Sequence, residues 1–132
     1  MEYVTIKCGR AFLATKANNL SMCTLGNCLT DDISSGHDRI NWILDDQYDH
    51  ISNNRTSMAK DNDTITIEDL FTGNFSSEAA ISIPKVTMID LLRQWDEVCK
   101  TNPEEVTIYY ENEKFRIEAK PRAQDKKNEL RA

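Results

Sequence analysis

The sequence predicts an α+β fold, an antiparallel sheet with two main amphipathic helices packed on it. Apolar residues recur at period two in short runs along much of the chain, the pattern of half-buried strands. They recur at helical spacing in two stretches, 38–51 and 88–100. Residues 79–119 then read as strand, helix and hairpin without interruption. No internal repeat or low-complexity linker divides residues 1–119, so they are expected to form a single domain.

Taken in order, Val4, Ile6 and Cys8 alternate with Thr5 and Lys7, an opening strand that Gly9-Arg10 turns into a second over Ala11 to Thr15. Ala17-Asn18-Asn19 reads as a turn, and Leu20 to Leu25 as a third strand broken by Gly26-Asn27. Ser35 with Asp38 three residues on looks like a capping box, opening a helix over 38–51. Ile40, Ile43, Leu44, Gln47 and Ile51 form its buried stripe. Trp42 lies off that stripe, among Asp38, Asp45, Asp46 and Asp49. Two readings follow: the loop at 52–63 folds over the ring, or the ring is a binding anchor of the kind enriched at interface hot spots.

Residues 52–63 are polar and turn-rich, a surface loop. Ile65 and Ile67 mark a strand over Thr64 to Asp69, and Phe71 to Glu78 a connection. Ala79, Ile81 and Ile83 mark the next strand, ended by Pro84. Thr87 and Asp90 suggest a second capping box, with Val86 and Leu91 placed for a hydrophobic staple. Met88, Leu91, Leu92, Trp95 and Cys99 form one apolar stripe, and Asn102-Pro103 stops the helix. Val106, Ile108 and Tyr110, a turn at Glu111-Asn112-Glu113, then Phe115, Ile117 and Ala119 make a hairpin. Residues 120–132 read as a charged, disordered tail.

The chain carries a net charge of −6. Residues 120–132 hold five cations against two carboxylates, a net of +3, which leaves −9 on the first 119 residues. Residues 31–63 hold eight aspartates against three cations. Such a balance disfavours direct nucleic-acid binding, which needs the opposite sign, and favours a basic protein partner. Met1-Glu2 opens no signal sequence, and no apolar run approaches the roughly 18 residues of a membrane span. A cytoplasmic protein is expected, in which the sequons at Asn54, Asn62 and Asn74 carry no weight.

Cys8, Cys23, Cys28 and Cys99 are expected as free, mostly buried thiols. Cys23-x4-Cys28 would be half a zinc site, but Cys8, Cys99, His37 and His50 lack paired ligand spacing for the other half. No catalytic triad order, Gly-rich phosphate loop or His-Glu-x-x-His motif is present. Neither His37-Asp38 nor Asp49-His50 forms a dyad, because neighbours on a helix do not face one another. No enzyme activity, cofactor or metal is expected, and the candidate partner-binding residues are Asp38, Trp42, Asp45, Asp46 and Asp49.

The run Ile81-Ser-Ile-Pro through Leu91-Leu-Arg-Gln-Trp95, then Val106-Thr-Ile-Tyr, resembles immunity proteins of bacterial contact-dependent growth inhibition and polymorphic toxin systems. The resemblance covers roughly a third of the chain. It implies a cytoplasmic protein without catalysis that binds the C-terminal domain of one cognate toxin, often a basic nuclease, and blocks it. It transfers no site residues. Two alternatives from other classes are an acidic secretion chaperone or adaptor, and a small metal- or nucleotide-dependent enzyme using the aspartate cluster.

Overall fold

The computed structural model describes residues 1–31, 36–45, 47–52, 55–70 and 79–122. The elements are β1 (Glu2–Cys8), β2 (Phe12–Ala17), α1 (Leu20–Asp31), α2 (Gly36–Leu44), β3 (His50–Ser52), β4 (Thr56–Asp61), β5 (Thr64–Asp69), β6 (Ile81–Pro84), α3 (Lys85–Lys100), β7 (Glu105–Glu111) and β8 (Lys114–Lys120). The fold is α+β, but the strands form two four-stranded antiparallel sheets rather than one, in orders β2-β1-β7-β8 and β3-β4-β5-β6. The division arises at α3. It takes the chain from β6, at the edge of the second sheet, into β7, which pairs with β1 at Val4↔Ile108 and joins both ends of the chain in the first sheet.

Each sheet buries one face through its period-two residues: Val4, Ile6, Val106, Ile108 and Phe115 in one, Met58, Ile65, Ile67, Ile81 and Ile83 in the other. Helix α1 packs on β1 and β2 and also on β4, β5 and β6, while α3 packs on β8 and on β5 and β6. The two helices therefore share one core with both sheets.

The expected strand at 20–25 is instead the start of α1, because Asn19 is a helix cap rather than a turn residue. Its Oδ1 accepts the Met22 amide at 2.8 Å. Met22, Leu25, Cys28 and Leu29 are buried at helical spacing, and a reading at period two misses that pattern. Gly26 does not break the helix; it lets the helix approach β1 and β2. A Cβ there would lie 2.7 Å from Val4 Cγ2 and 3.0 Å from Ala14 Cβ. Gly26→Ala therefore sets two effects against each other. Helix propensity favours alanine by up to about 1 kcal/mol, while overpacking costs about 1–3 kcal/mol. The buried, β-branched Val4 has little room to yield, so net destabilisation is expected; a raised thermal midpoint would show that the helix moves off the sheet freely.

The helix expected over 38–51 is α2, and it ends at Leu44. Leu44 is 66% exposed and Gln47 is exposed, so the expected stripe holds only at Ile40 and Ile43; Ile51 belongs to β3. The buried side comprises Arg39, Ile40, Trp42 and Ile43. Ser35 of the expected capping box lies outside the described residues, as does the 71–78 connection. The expected loop at 52–63 mostly forms β4, whose Met58 is fully buried.

Helix α3 buries Met88, Leu91, Leu92 and Trp95, with Cys99 half-buried, as the stripe predicts. It starts two residues earlier than the expected cap. Pro84 is the N-cap, and the Lys85 amide donates to Asp63 O at 2.6 Å. Thr87 lies within the first turn and donates its hydroxyl to Glu113 O, so the Thr87/Asp90 capping box is not formed. Val86 is 78% exposed and makes no staple. The closing hairpin turns through Asn112 and Glu113, both at positive φ, as a tight two-residue loop between Glu111 and Lys114 requires. The expected tail begins later than 120: Lys120 ends β8, and Arg122 Nη2 donates to Cys8 O at 2.6 Å. Residues 123–132 lie outside the described residues.

Candidate functional site

The acidic stretch of the sequence falls on α2 and its connection to β3. Asp38 stands exposed in the first turn of α2, where a carboxylate is favoured by the exposed amides of the helix start. Asp45 and Asp49 are exposed in the connection, and Asp46 lies outside the described residues. Asp45 Oδ1 accepts the Gln47 amide at 2.8 Å, a short side-chain turn that leads the chain away from the helix.

Trp42 stands apart from these carboxylates. The sequence puts its ring on the acidic face; the structure leaves it 9% exposed, within the core shared by the helices and sheets. The difference has a physical cause in Lys60 of β4. The Lys60 ammonium lies 4.7 Å from the centre of the indole ring and donates to Trp42 O at 2.7 Å and to Asp45 O. It thereby joins the Asp45 amide on Trp42 O and meets Asp45 O, at the end of α2 where carbonyls lack helical partners and a cation suits the helix. The Lys60 amide donates to Asp49 O, which ties the whole connection to β4. Of the two readings of Trp42, covering by the 52–63 stretch is the arrangement seen.

What the surface offers in place of Trp42 is Leu44 and Tyr48, 66% and 63% exposed. Leu44 ends α2 and Tyr48 lies in its connection to β3, on the same stretch of chain as the exposed Asp45 and Asp49; Asp38 is exposed at the opposite end of α2. Neither apolar residue was a sequence candidate. The sequence pattern places Leu44 on the buried stripe and Tyr48 inside a helix running on to Ile51. The available signal was Asp45-Asp46 at the point where the apolar period lapses. Separately, α2 and α3 leave a groove of about 720 Å³ lined by His37, Ile40, Asn41, Arg93, Asp96 and Lys100.

Elsewhere the reactive groups are dispersed. Cys8 and Cys28 are buried, Cys23 and Cys99 half-buried, and all four are free thiols. Cys23 and Cys28 both lie on α1. Burial pushes the Cys99 thiol up to about 11, with Cys8 and Asp96 acting in the same direction. Burial also raises Cys8, against the neighbouring Arg122. Both thus stay protonated near neutral pH, the unreactive form. Among the described residues no three His, Cys, Asp or Glu side chains gather at metal-binding distance, and no helix is long and apolar enough to cross a membrane. Compared with known proteins, the chain matches no family model, no curated protein and no solved structure.

Proposed function

We propose that this chain is a cytoplasmic immunity protein that neutralises a basic toxin domain, a nuclease, by seating it on the acidic segment between α2 and β3. One observation carries the reading: Leu44 and Tyr48 are exposed on the same stretch of chain as Asp38, Asp45 and Asp49, which are exposed as well. Aromatic and apolar contact supplies affinity once water is excluded, and flanking carboxylates attract and orient a cationic partner. The resemblance of residues 81–109 to immunity proteins of contact-dependent growth inhibition supplies the class of partner. A nuclease toxin is basic where it meets nucleic acid, so covering that surface sets opposite charges against one another and keeps substrate out. No catalytic step by this chain is required.

The roles divide by position. Tyr48 is the expected anchor, worth roughly 2 kcal/mol, or about a thirtyfold change in affinity. Asp45 and Asp49 belong to the solvated rim, where charge governs association rate and its salt dependence. Tyr48→Ala is therefore expected to speed dissociation from the toxin domain encoded directly upstream, with the thermal midpoint unchanged. Asp45→Asn with Asp49→Asn is expected to slow association at low salt and to have little effect at high salt. Co-purification with the upstream gene product identifies the partner for these measurements. Failure of that product to bind, or binding that neither variant alters, would overturn the proposal.

A further inference from the structure

Charge in this chain is segregated at its start as well as in its middle. Residues 3–30 contain no aspartate or glutamate, yet carry Lys7, Arg10 and Lys16, in a chain of net charge −6. This segment folds into β1, β2 and α1, and β2 is an outer strand of the first sheet. Among the described residues no strand pairs with its outward edge, so that edge presents backbone donors and acceptors to solvent. An extra residue at Thr15 shifts the register between β1 and β2 and bends the strand there. Between β2 and the first turns of α1 lies a recess of about 340 Å³, lined by Val4, Ala14, Leu20 and Cys23 together with polar Lys16 and Asn18. Leu20, which lines it, is 52% exposed.

A free strand edge beside a helix, with a partly apolar recess between them, is the arrangement that receives an extended peptide as an added strand. Main-chain hydrogen bonds hold the peptide, and alternate side chains fill the recess. The charge specifies which peptide. We propose that the β2 edge binds an extended acidic segment of another protein, with an apolar side chain placed between β2 and α1 and flanking carboxylates facing Lys16, which lines the recess, and Arg10 of the β1–β2 turn. Lys7 of β1 is instead paired opposite Glu105. This surface is separate from the acidic segment at α2–β3 and opposite to it in sign, so the chain would hold a basic partner at one place and an acidic one at another.

The test is an amide NMR titration of the full chain with a short acetylated and amidated peptide alternating valine with glutamate, set against its lysine counterpart. The expected result is shifted and exchange-protected amides over Phe12–Ala17 and Leu20–Cys23 with the glutamate peptide, bound at least about tenfold more tightly than the lysine peptide. Lys16→Glu should reverse that preference, and Leu20→Glu should weaken both peptides; both side chains are exposed, so the fold is retained. Tyr48→Ala should leave peptide binding unchanged, which separates this inference from the toxin-binding reading. Equal binding of the two peptides, or shifts confined to other elements, would overturn it. So would β2 amides that move with chain concentration in the absence of peptide, because the occupant would then be a second copy.

Discussion

Trp95→Ala is expected to lower the unfolding free energy by about 3–5 kcal/mol, seen as a lower urea midpoint with the slope preserved. Trp95 is 6% exposed and continues the stripe begun by Met88, Leu91 and Leu92, each fully buried. Its ring meets Phe12 edge-on, with centroids 6.1 Å apart and planes at 86°. Phe12 begins β2, so this one contact links α3 to the far edge of the first sheet. Such a pair adds about 0.5–1.5 kcal/mol beyond the area it buries. Phe12→Leu alone is therefore expected to cost about 1 kcal/mol, and the double variant less than the sum of the two. An unchanged midpoint for Trp95→Ala would mean that the indole is not packed as described.

The parts of the fold legible in the sequence were those in which local pattern and tertiary contact agree. From Ile81 to Lys120 the strand, helix and hairpin stand where period and turn residues place them, because each apolar residue faces the same core that its spacing implies. The exceptions there are at the helix start. Thr87 has the right chemistry for a cap, yet Pro84 and Asp63 O already occupy that role and free its hydroxyl for Glu113 O. In the first half, tertiary contacts override local signals. Gly26 reads as a breaker because the need for close approach to Val4 and Ala14 is invisible without the sheet. Lys60 reads as part of a polar loop because its use lies across space, at the end of α2. The candidate site was legible as an acidic segment, since charge needs no fold to be counted. Its apolar members were not, because the position of Leu44 and Tyr48 follows from where α2 stops, and Lys60 of another strand caps that stop.

Trp42 provides the sharpest separation between the sequence reading and the structure. On the acidic helix face its removal would leave stability untouched and weaken only binding. Buried to 9% beneath Lys60, it belongs to the core, and Trp42→Ala is expected to cost about 3–5 kcal/mol. Its Nε1 has no hydrogen-bond partner among the described residues. Trp42→Phe, which removes that polar atom together with some volume, should therefore cost markedly less, about 1–2 kcal/mol. Lys60→Met keeps an unbranched stem over the ring but removes the ammonium from Trp42 O and Asp45 O; about 1–2 kcal/mol is expected from the lost hydrogen bonds and ring contact. The Lys60→Met and Trp42→Ala effects should be non-additive, because each removes a contact the other shares. Under the proposed immunity function, Trp42→Ala should reduce protection of cells in proportion to the loss of folded chain, and lower temperature should restore it. Tyr48→Ala should reduce protection with the amount of folded chain unchanged. If instead Trp42→Ala left the midpoint in place and weakened binding, the indole would be reaching the surface, and the anchor would be Trp42 after all.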